Sequence, residues 1–364
     1  GAMTVKNSGK LSSGTYTAKA GTMDITNEGT IENGTYTAET DAMTIKNSGK
    51  LSSSMYTAKG TMDITNQGTI ENGEYTARGN LTYTDTAEAS LKDGTLISEE
   101  GKAKITAHGV LQIKKLSAKD SATVEADHDV TLTEAEAGTL AISSGGSVNA
   151  GTLTATTGDA KVKAKTNVTI GTLTAETGGA TIEATDAALD VTTLNAKSLT
   201  AKAGTTLSAK TLDVKEHAEL TSGGDMVLME AHANTLTANA GGKLTVTTLG
   251  VTGAAGLTSG GAMEVTDANV GSVAAKAGTT LHVKKLTSTG EATLTSKDEA
   301  KLDEVTAGTL AAESTTGSVN AGTLTATTGD AEVKAKTDAT IGTLDVKEHA
   351  ELTSGGAMTL DNAS

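Results

Sequence analysis

Residues 26–38 read TNEGTIENGTYTA, and residues 65–77 read TNQGTIENGEYTA. The same thirteen positions return 39 residues on with two changes, Glu28 to Gln67 and Thr35 to Glu74. A catalytic site is built once, whereas a chain that copies itself is building stacked units. The 39-residue unit divides again. Met3, Met23, Met43 and Met62 recur at steps of 20, 20 and 19, and Val5, Ile25, Ile45 and Ile64 keep the same spacing. So do Leu11, Ile31, Leu51 and Ile70, the asparagines 7, 27, 47 and 66, the glycines 9, 29, 49 and 68, and the tyrosines 16, 36, 56 and 75. Six columns in register predict one structural unit per turn of about 20 residues.

Within a unit the side chains alternate. In MTVKN, Met3, Val5 and Asn7 share one face while Thr4 and Lys6 take the other. In TYTA, Tyr16 and Ala18 share a face opposite the threonines. Short alternating runs rich in Thr and Val, broken by Gly, Asn and Ser, predict strands joined by turns. Three short strands and three turns make one coil of a parallel β-helix, each strand pairing with its equivalent one coil away at ~4.8 Å. The asparagine column fits this geometry, because an inward amide can bond to the amide above and below it.

Outward positions carry a second regularity. Lys6 and Lys46 are separated by Thr26, Lys10 and Lys50 by Thr30, Asp24 and Asp63 by Thr44, and Glu32 and Glu71 by Ser52. Like charges are thereby held two coils apart, about 9.6 Å, where stacking them directly would destabilise the sheet. The 39-residue period therefore needs no ligand to explain it.

Composition narrows the remaining choices. The 364 residues contain no Cys, Pro, Trp or Phe, five Tyr and 42 Gly. Small residues with scattered Leu, Val and Ile suit a narrow core filled by one thin layer per coil. The net charge of −15, from 44 acidic and 29 basic residues, argues against nucleic acid as a partner. No apolar run approaches the ~18 residues of a membrane-spanning helix, so membrane insertion is not expected. The opening GAMTVKNSGK lacks the basic and apolar regions of a signal peptide. Both ends lie inside repeat pattern, and the rest of a longer chain is expected beyond each.

Three repeat regions are expected along one solenoid: residues 1–80 as regular coils, 81–145 as irregular coils, and 146–364 as a second repeat flavour. TDTAEASLKDG (84–94) and LISEEGKAK (96–104) read as longer turns in the middle region. In the third region GTLTATTGDAKVKAKTNVTI (151–170) returns as GTLTATTGDAEVKAKTDATI (322–341). DVKEHAELTSGG starts at 213 and again at 345, and AKAGTTL at 201 and again at 275, where the second copy opens on Ala275. The predicted fold is all-β, a right-handed parallel β-helix of about 18 coils of about 20 residues, with no helical domain.

Coils such as TNEGTIENGTYTA, together with GTLTATTGDAKVKA, resemble the repeat regions of filamentous haemagglutinin-like exoproteins of bacterial two-partner secretion. The likeness is one of repeat style over nearly the whole chain. The family's secretion domain is not recognisable, and its Asn-Pro motifs are impossible without proline. The resemblance implies a structural shaft or adhesive segment of a large bacterial surface or secreted fibrous adhesin, localised outside the cell or at the outer membrane. It implies no catalytic residues, no cofactor and no metal ligands, and leaves the partner an unknown host or bacterial surface protein or glycan. The alternatives are a carbohydrate-active β-helix enzyme, lyase or hydrolase, and the stalk of a contact-dependent toxin exoprotein.

The candidate site residues each have a competing structural role. The histidines are His108, His128, His217, His232, His282 and His349, with His217 and His349 at one repeat position in VKEHAEL. EADHDV gathers Glu125, Asp127, His128 and Asp129, but alternation along a strand would send His128 away from the two aspartates. A solvated charged turn is the preferred reading. Tyr16, Tyr36, Tyr56 and Tyr75 could form a sugar-stacking stripe, yet the face they share with alanines points to the core. Thr-Leu-Thr at 152, 172, 235 and 323 is too irregularly placed for an ice-binding face.

Overall fold

The computed structural model describes all residues, 1–364, and contains strands and turns with no helix. Every strand pairing is parallel, joining each strand to its counterpart about 19 residues away in the chain. The right-handed parallel β-helix expected from the repeat is the fold observed, with about 19 turns of about 19 residues in place of about 18 of 20. The chain divides into two compact units, Gly1–Asp186 and Ala187–Ser364.

In the first unit each early turn has three strands, such as Met3–Asn7, Lys10–Ser12 and Thr15–Ala18. They define three faces. On the first face Met3, Met23, Met43, Met62, Leu81, Ala103, Ala122, Leu140, Ala160 and Ala180 stand in register. Leu11, Ile31, Leu51, Ile70, Leu91 and Leu111 head the second face. Tyr16, Tyr36, Tyr56 and Tyr75 give way to Leu96 and Leu116 on the third. The inward columns form the core, where Met23, Ile25, Ile31 and Tyr36 are buried.

The turns are as regular as the strands. Ser13, Asn33, Ser53, Asn72 and Asp93 occupy one coil position, all with φ between 49° and 54°. Asn, Asp and Ser suit this corner because a short polar side chain tolerates left-handed backbone better than a branched one. Gly49 has a different reason to be glycine. A Cβ there would lie 2.0 Å from the carbonyl oxygen of Gly29 on the preceding turn, so adjacent turns close up only without a side chain.

The middle region is more regular than its sequence suggests. The lengthening is confined to the turn from Leu81 to Ala103, 22 residues, and much of the predicted long turn is strand, Ser90–Ser98. The pairing Leu91↔Leu111 passes through a bulge at Asp93–Gly94 before resuming at Thr95↔Lys115. A bulge absorbs extra residues while returning the inward side chains to the core face.

In the second unit Leu199, Ala218, Leu236, Ala255, Val273, Ala292, Leu310, Ala331 and Ala350 make the corresponding first-face column. Strands here run continuously through corners, as in Leu207–Ser222 and Leu244–Ser259. The long repeats keep whole-coil register. Ala201 aligns four turns on with Ala275 through Leu220, Ala238 and Leu257. Asp213 reaches Asp345 through seven pairings in one column. Duplication by whole coils leaves each neighbour contact intact, which is why a solenoid tolerates it.

Candidate functional site

Two buried columns in the first unit set its chemistry. The last residue of each early first-face strand is an inward asparagine. Asn7 donates through Nδ2 to Oδ1 of Asn27 at 2.8 Å, Asn27 to Asn47 at 2.7 Å, and Asn47 to Asn66 at 2.8 Å. Each Nδ2 also bonds the carbonyl of the glycine two residues on, Gly9, Gly29, Gly49 and Gly68, at 3.1–3.2 Å. The ladder therefore ties turn to turn and closes each corner. Buried amides satisfied in this way stabilise one another; left unpaired, each would cost about 1–3 kcal/mol.

The ladder ends in a group that repetition does not foreshadow. The asparagine column passes from Asn66 to Asp85. Nδ2 of Asn66 donates to the hydroxyl of Tyr83 at 3.2 Å, and that hydroxyl donates to Oδ2 of Asp85 at 3.0 Å. Oδ1 of Asp85 accepts the backbone N–H of His108 at 2.6 Å and of Gly109 at 3.2 Å. A carboxylate can only accept, so it terminates a chain of donors. Beyond it the column turns to Ala and Ser. Ser222, Ser259 and Ser354 donate to the carbonyls of Gly224, Gly261 and Gly356 at 2.9–3.0 Å. Ser144 and Ser314 instead reach a carbonyl of the preceding turn, that of His128 at 2.6 Å and that of Asp298.

The tyrosines lie inside, not on a sugar-binding surface. Tyr16, Tyr36, Tyr56 and Tyr75 stack with ring centroids 5.0, 5.0 and 4.9 Å apart and planes within 11°. The hydroxyls of Tyr36 and Tyr75 are buried with no hydrogen-bond partner, whereas that of Tyr56 has the hydroxyl of Ser54 beside it. Burial, with the neighbouring phenol of Tyr16, pushes Tyr36 up to about 12, and burial raises Tyr56, Tyr75 and Tyr83 as well.

The outward rows confirm the two-coil charge spacing and add a diagonal. Lys6 pairs with Thr26 and Thr26 with Lys46; Ser12 pairs with Glu32 and Glu32 with Ser52. Lys10 then reaches Glu32 at 2.6 Å, and Lys50 reaches Glu71 at 2.8 Å. These lysines hold both carboxyls below their ordinary range, with Ser12 assisting at Glu32. Spacing like charges by two turns leaves room for opposite charges to meet across one.

The histidines do not converge. His108 meets Asp127 at 2.7 Å, His282 meets Asp303 at 3.1 Å, His232 meets Glu230 at 3.2 Å and His217 meets Thr235 at 2.8 Å. His349 donates its backbone N–H to Asp330. The EADHDV segment ends in the solvated charged turn expected of it. The strand ends at Ala126, and Asp127, His128 and Asp129 form an exposed turn. Their side chains serve separate purposes: Asp127 holds His108, and Oδ1 of Asp129 accepts the N–H of Ser147 at 2.7 Å. No group of three or more His, Asp or Glu stands together as a metal site. Sequence reasoning missed the general use of such turn carboxylates. Asp225 and Asp338 accept the N–H of Lys243 and Ala357, each at 2.7 Å, just before the next strand. The recurrent Asp one or two residues before a strand was the available signal.

The Thr-Leu-Thr segments at 152 and 172 prove to be stacked, with Thr152 against Thr172 and Thr154 against Thr174. Glu134 and Glu136 occupy the same positions one turn earlier and interrupt the threonine surface.

Surface depressions arise where outward residues are small. In the second unit a groove of about 530 Å³ runs along a corner past Asp213, His232, Gly250 and Asn269, consecutive members of one outward row. Asp213 is the one carboxylate in its lining. In the first unit a smaller hollow of about 290 Å³ includes Glu125 and Glu183. These occupy one row, three turns apart through Ser143 and Lys163, or about 14 Å at strand spacing. Glycoside hydrolysis uses paired carboxylates ~5–9.5 Å apart. Lys163 also bonds Glu183 at 3.3 Å. No helix is long and apolar enough to cross a membrane. The chain matches no family model, no curated protein and no solved structure.

Proposed function

We propose that this chain is a structural and adhesive segment of a large bacterial surface or secreted fibrous adhesin, with no catalysis of its own. The observation that carries the reading is the evenness of the turns within each unit. First-face steps run from 18 residues, as from Ala122 to Leu140, to 22, so no turn holds an insertion large enough to wall a substrate cleft. The surface is instead made of outward rows whose charges meet across turns, as at Lys10–Glu32 and Lys243–Glu264. Such a surface presents many equivalent positions to a protein or glycan, and repetition extends it coil by coil. Secretion or attachment at the bacterial surface follows from the same reading.

The test places the protein on a panel of glycans, matrix proteins and epithelial cells, with polysaccharide cleavage read in the same wells. Saturable binding without cleavage is the expected outcome. Cleavage would replace this reading with the carbohydrate-active one. Silence throughout would reduce the chain to a spacer and move function to other segments, a toxin module among them.

A further inference from the structure

The chain contains two Asn-Gly dipeptides, Asn33–Gly34 and Asn72–Gly73, at the same coil position. Both asparagines are exposed, and both adopt left-handed backbone, with φ 53° and 51°. Both begin from the same acidic neighbour, Glu32 or Glu71. One contact separates them. The N–H of Gly34 donates to Oγ of Ser54 at 3.1 Å in a buried hydrogen bond. The N–H of Gly73 has no partner. Its counterpart one turn on, by the pairings Glu71↔Lys92 and Glu74↔Thr95, is Gly94, which has no hydroxyl.

We propose that Asn72 is a site of spontaneous deamidation that the fold leaves open, whereas Asn33 is protected by Ser54. The Gly73 amide nitrogen gives up its proton to solvent base and attacks Cγ of Asn72. The new C–N bond closes a five-membered succinimide, and the side-chain nitrogen leaves as ammonia. Water then opens the ring at either carbonyl, giving aspartate or isoaspartate; one water is consumed and one ammonia released. At Gly34 the same proton is engaged by Ser54 Oγ, and the nitrogen must leave that bond before it can attack. Loss of one neutral hydrogen bond corresponds to about a fivefold rate difference, the equivalent of about 1 kcal/mol. Conversion at Asn72 adds a negative charge between Glu71 and Glu74 and, as isoaspartate, an extra backbone atom in the corner joining Thr69–Glu71 to Glu74–Ala77. The modification would age this turn before its neighbours.

The folded protein is incubated at mildly alkaline pH, and deamidation at each site is followed by peptide mapping that resolves isoaspartate. Asn72 is expected to convert about five times faster than Asn33. In denaturant, where both sites share nearly the same local sequence, the rates should converge. Ser54→Gly, which installs the residue found at positions 14, 34 and 73, should raise the Asn33 rate to that of Asn72 without disturbing the fold. Equal rates in the folded wild type, or an unchanged Asn33 rate in Ser54→Gly, would overturn the proposal. A rate difference that persists in denaturant would do so too, by assigning the contrast to sequence.

Discussion

Asn66 donates its side-chain amide to the hydroxyl of Tyr83, 3.2 Å away, and this contact ends the asparagine ladder. Tyr83 is not a member of the tyrosine stack. It occupies the first face, between Ile64 and Ile105, and reaches sideways to bridge Asn66 and Asp85. Two residues of one type thus have opposite polar environments: the Tyr83 hydroxyl is bonded on both sides, and the Tyr75 hydroxyl is bonded on neither.

That contrast predicts opposite responses to losing a hydroxyl. Tyr75→Phe removes a buried polar group that has no partner and is expected to be neutral or to stabilise by up to about 1 kcal/mol. Tyr83→Phe takes one partner from Asn66 and leaves Oδ2 of Asp85 without its donor, and is expected to cost about 1–3 kcal/mol. Hydrogen exchange of the turns between Asn47 and Gly109, measured for both variants, decides the matter; equal losses would show that the unpaired hydroxyls had been misread.

Position in the ladder should set the cost of an asparagine. Asn47→Ala leaves Nδ2 of Asn27 without its amide acceptor and Oδ1 of Asn66 with only the Gly68 N–H as donor. Asn7→Ala breaks one rung of the ladder and a bond to the Thr30 carbonyl, at a half-buried site. A destabilisation of about 2–4 kcal/mol is expected for Asn47→Ala and about 1 kcal/mol for Asn7→Ala. Because repeat proteins unfold by parts, local exchange rates are a better readout than a single melting temperature.

Alkaline pH should unfold the first unit through its tyrosines. Their phenols ionise at about 10 when free, while burial raises Tyr36 to about 12 and Tyr56, Tyr75 and Tyr83 as well. A raised folded value means that this stability is complete below the free value. It is lost as pH climbs from 10 through the folded values, because the unfolded chain ionises first. Tyrosinate absorbance and the β-sheet circular dichroism signal, followed together, should show these rings ionising as structure is lost. A single absorbance step at the ordinary phenol value with the sheet signal intact would contradict the buried stack.

His108 supplies a second, milder dependence. Its bond and attraction to Asp127 raise it above the ordinary 6.5. The contribution is therefore present below 6.5 and fades as pH rises through the raised folded value. Exchange of the His108 and Gly109 amides should quicken over that interval beyond the ordinary base-catalysed trend. His108→Gln should abolish the excess, and an unchanged profile in that variant would remove His108 from the account.

Much of this protein was determined by its sequence alone. Columns repeating at about 20 residues required stacked turns, and period-two alternation assigned Asn7, Tyr16 and their copies to the interior, because one buried face admits only one register. The two-turn charge spacing was legible for the same reason: a repeat fixes which residues become vertical neighbours. What the tertiary structure decided lies in departures from repetition. Tyr83 and Asp85 break the columns they stand in, and only the folded chain shows that their misfits complete one another. The turn carboxylates and the Ser54 bond that separates Asn33 from Asn72 depend on corner geometry, where successive residues follow no period. Alternation describes strands, and a corner is set by which backbone groups still lack a partner when the strand ends.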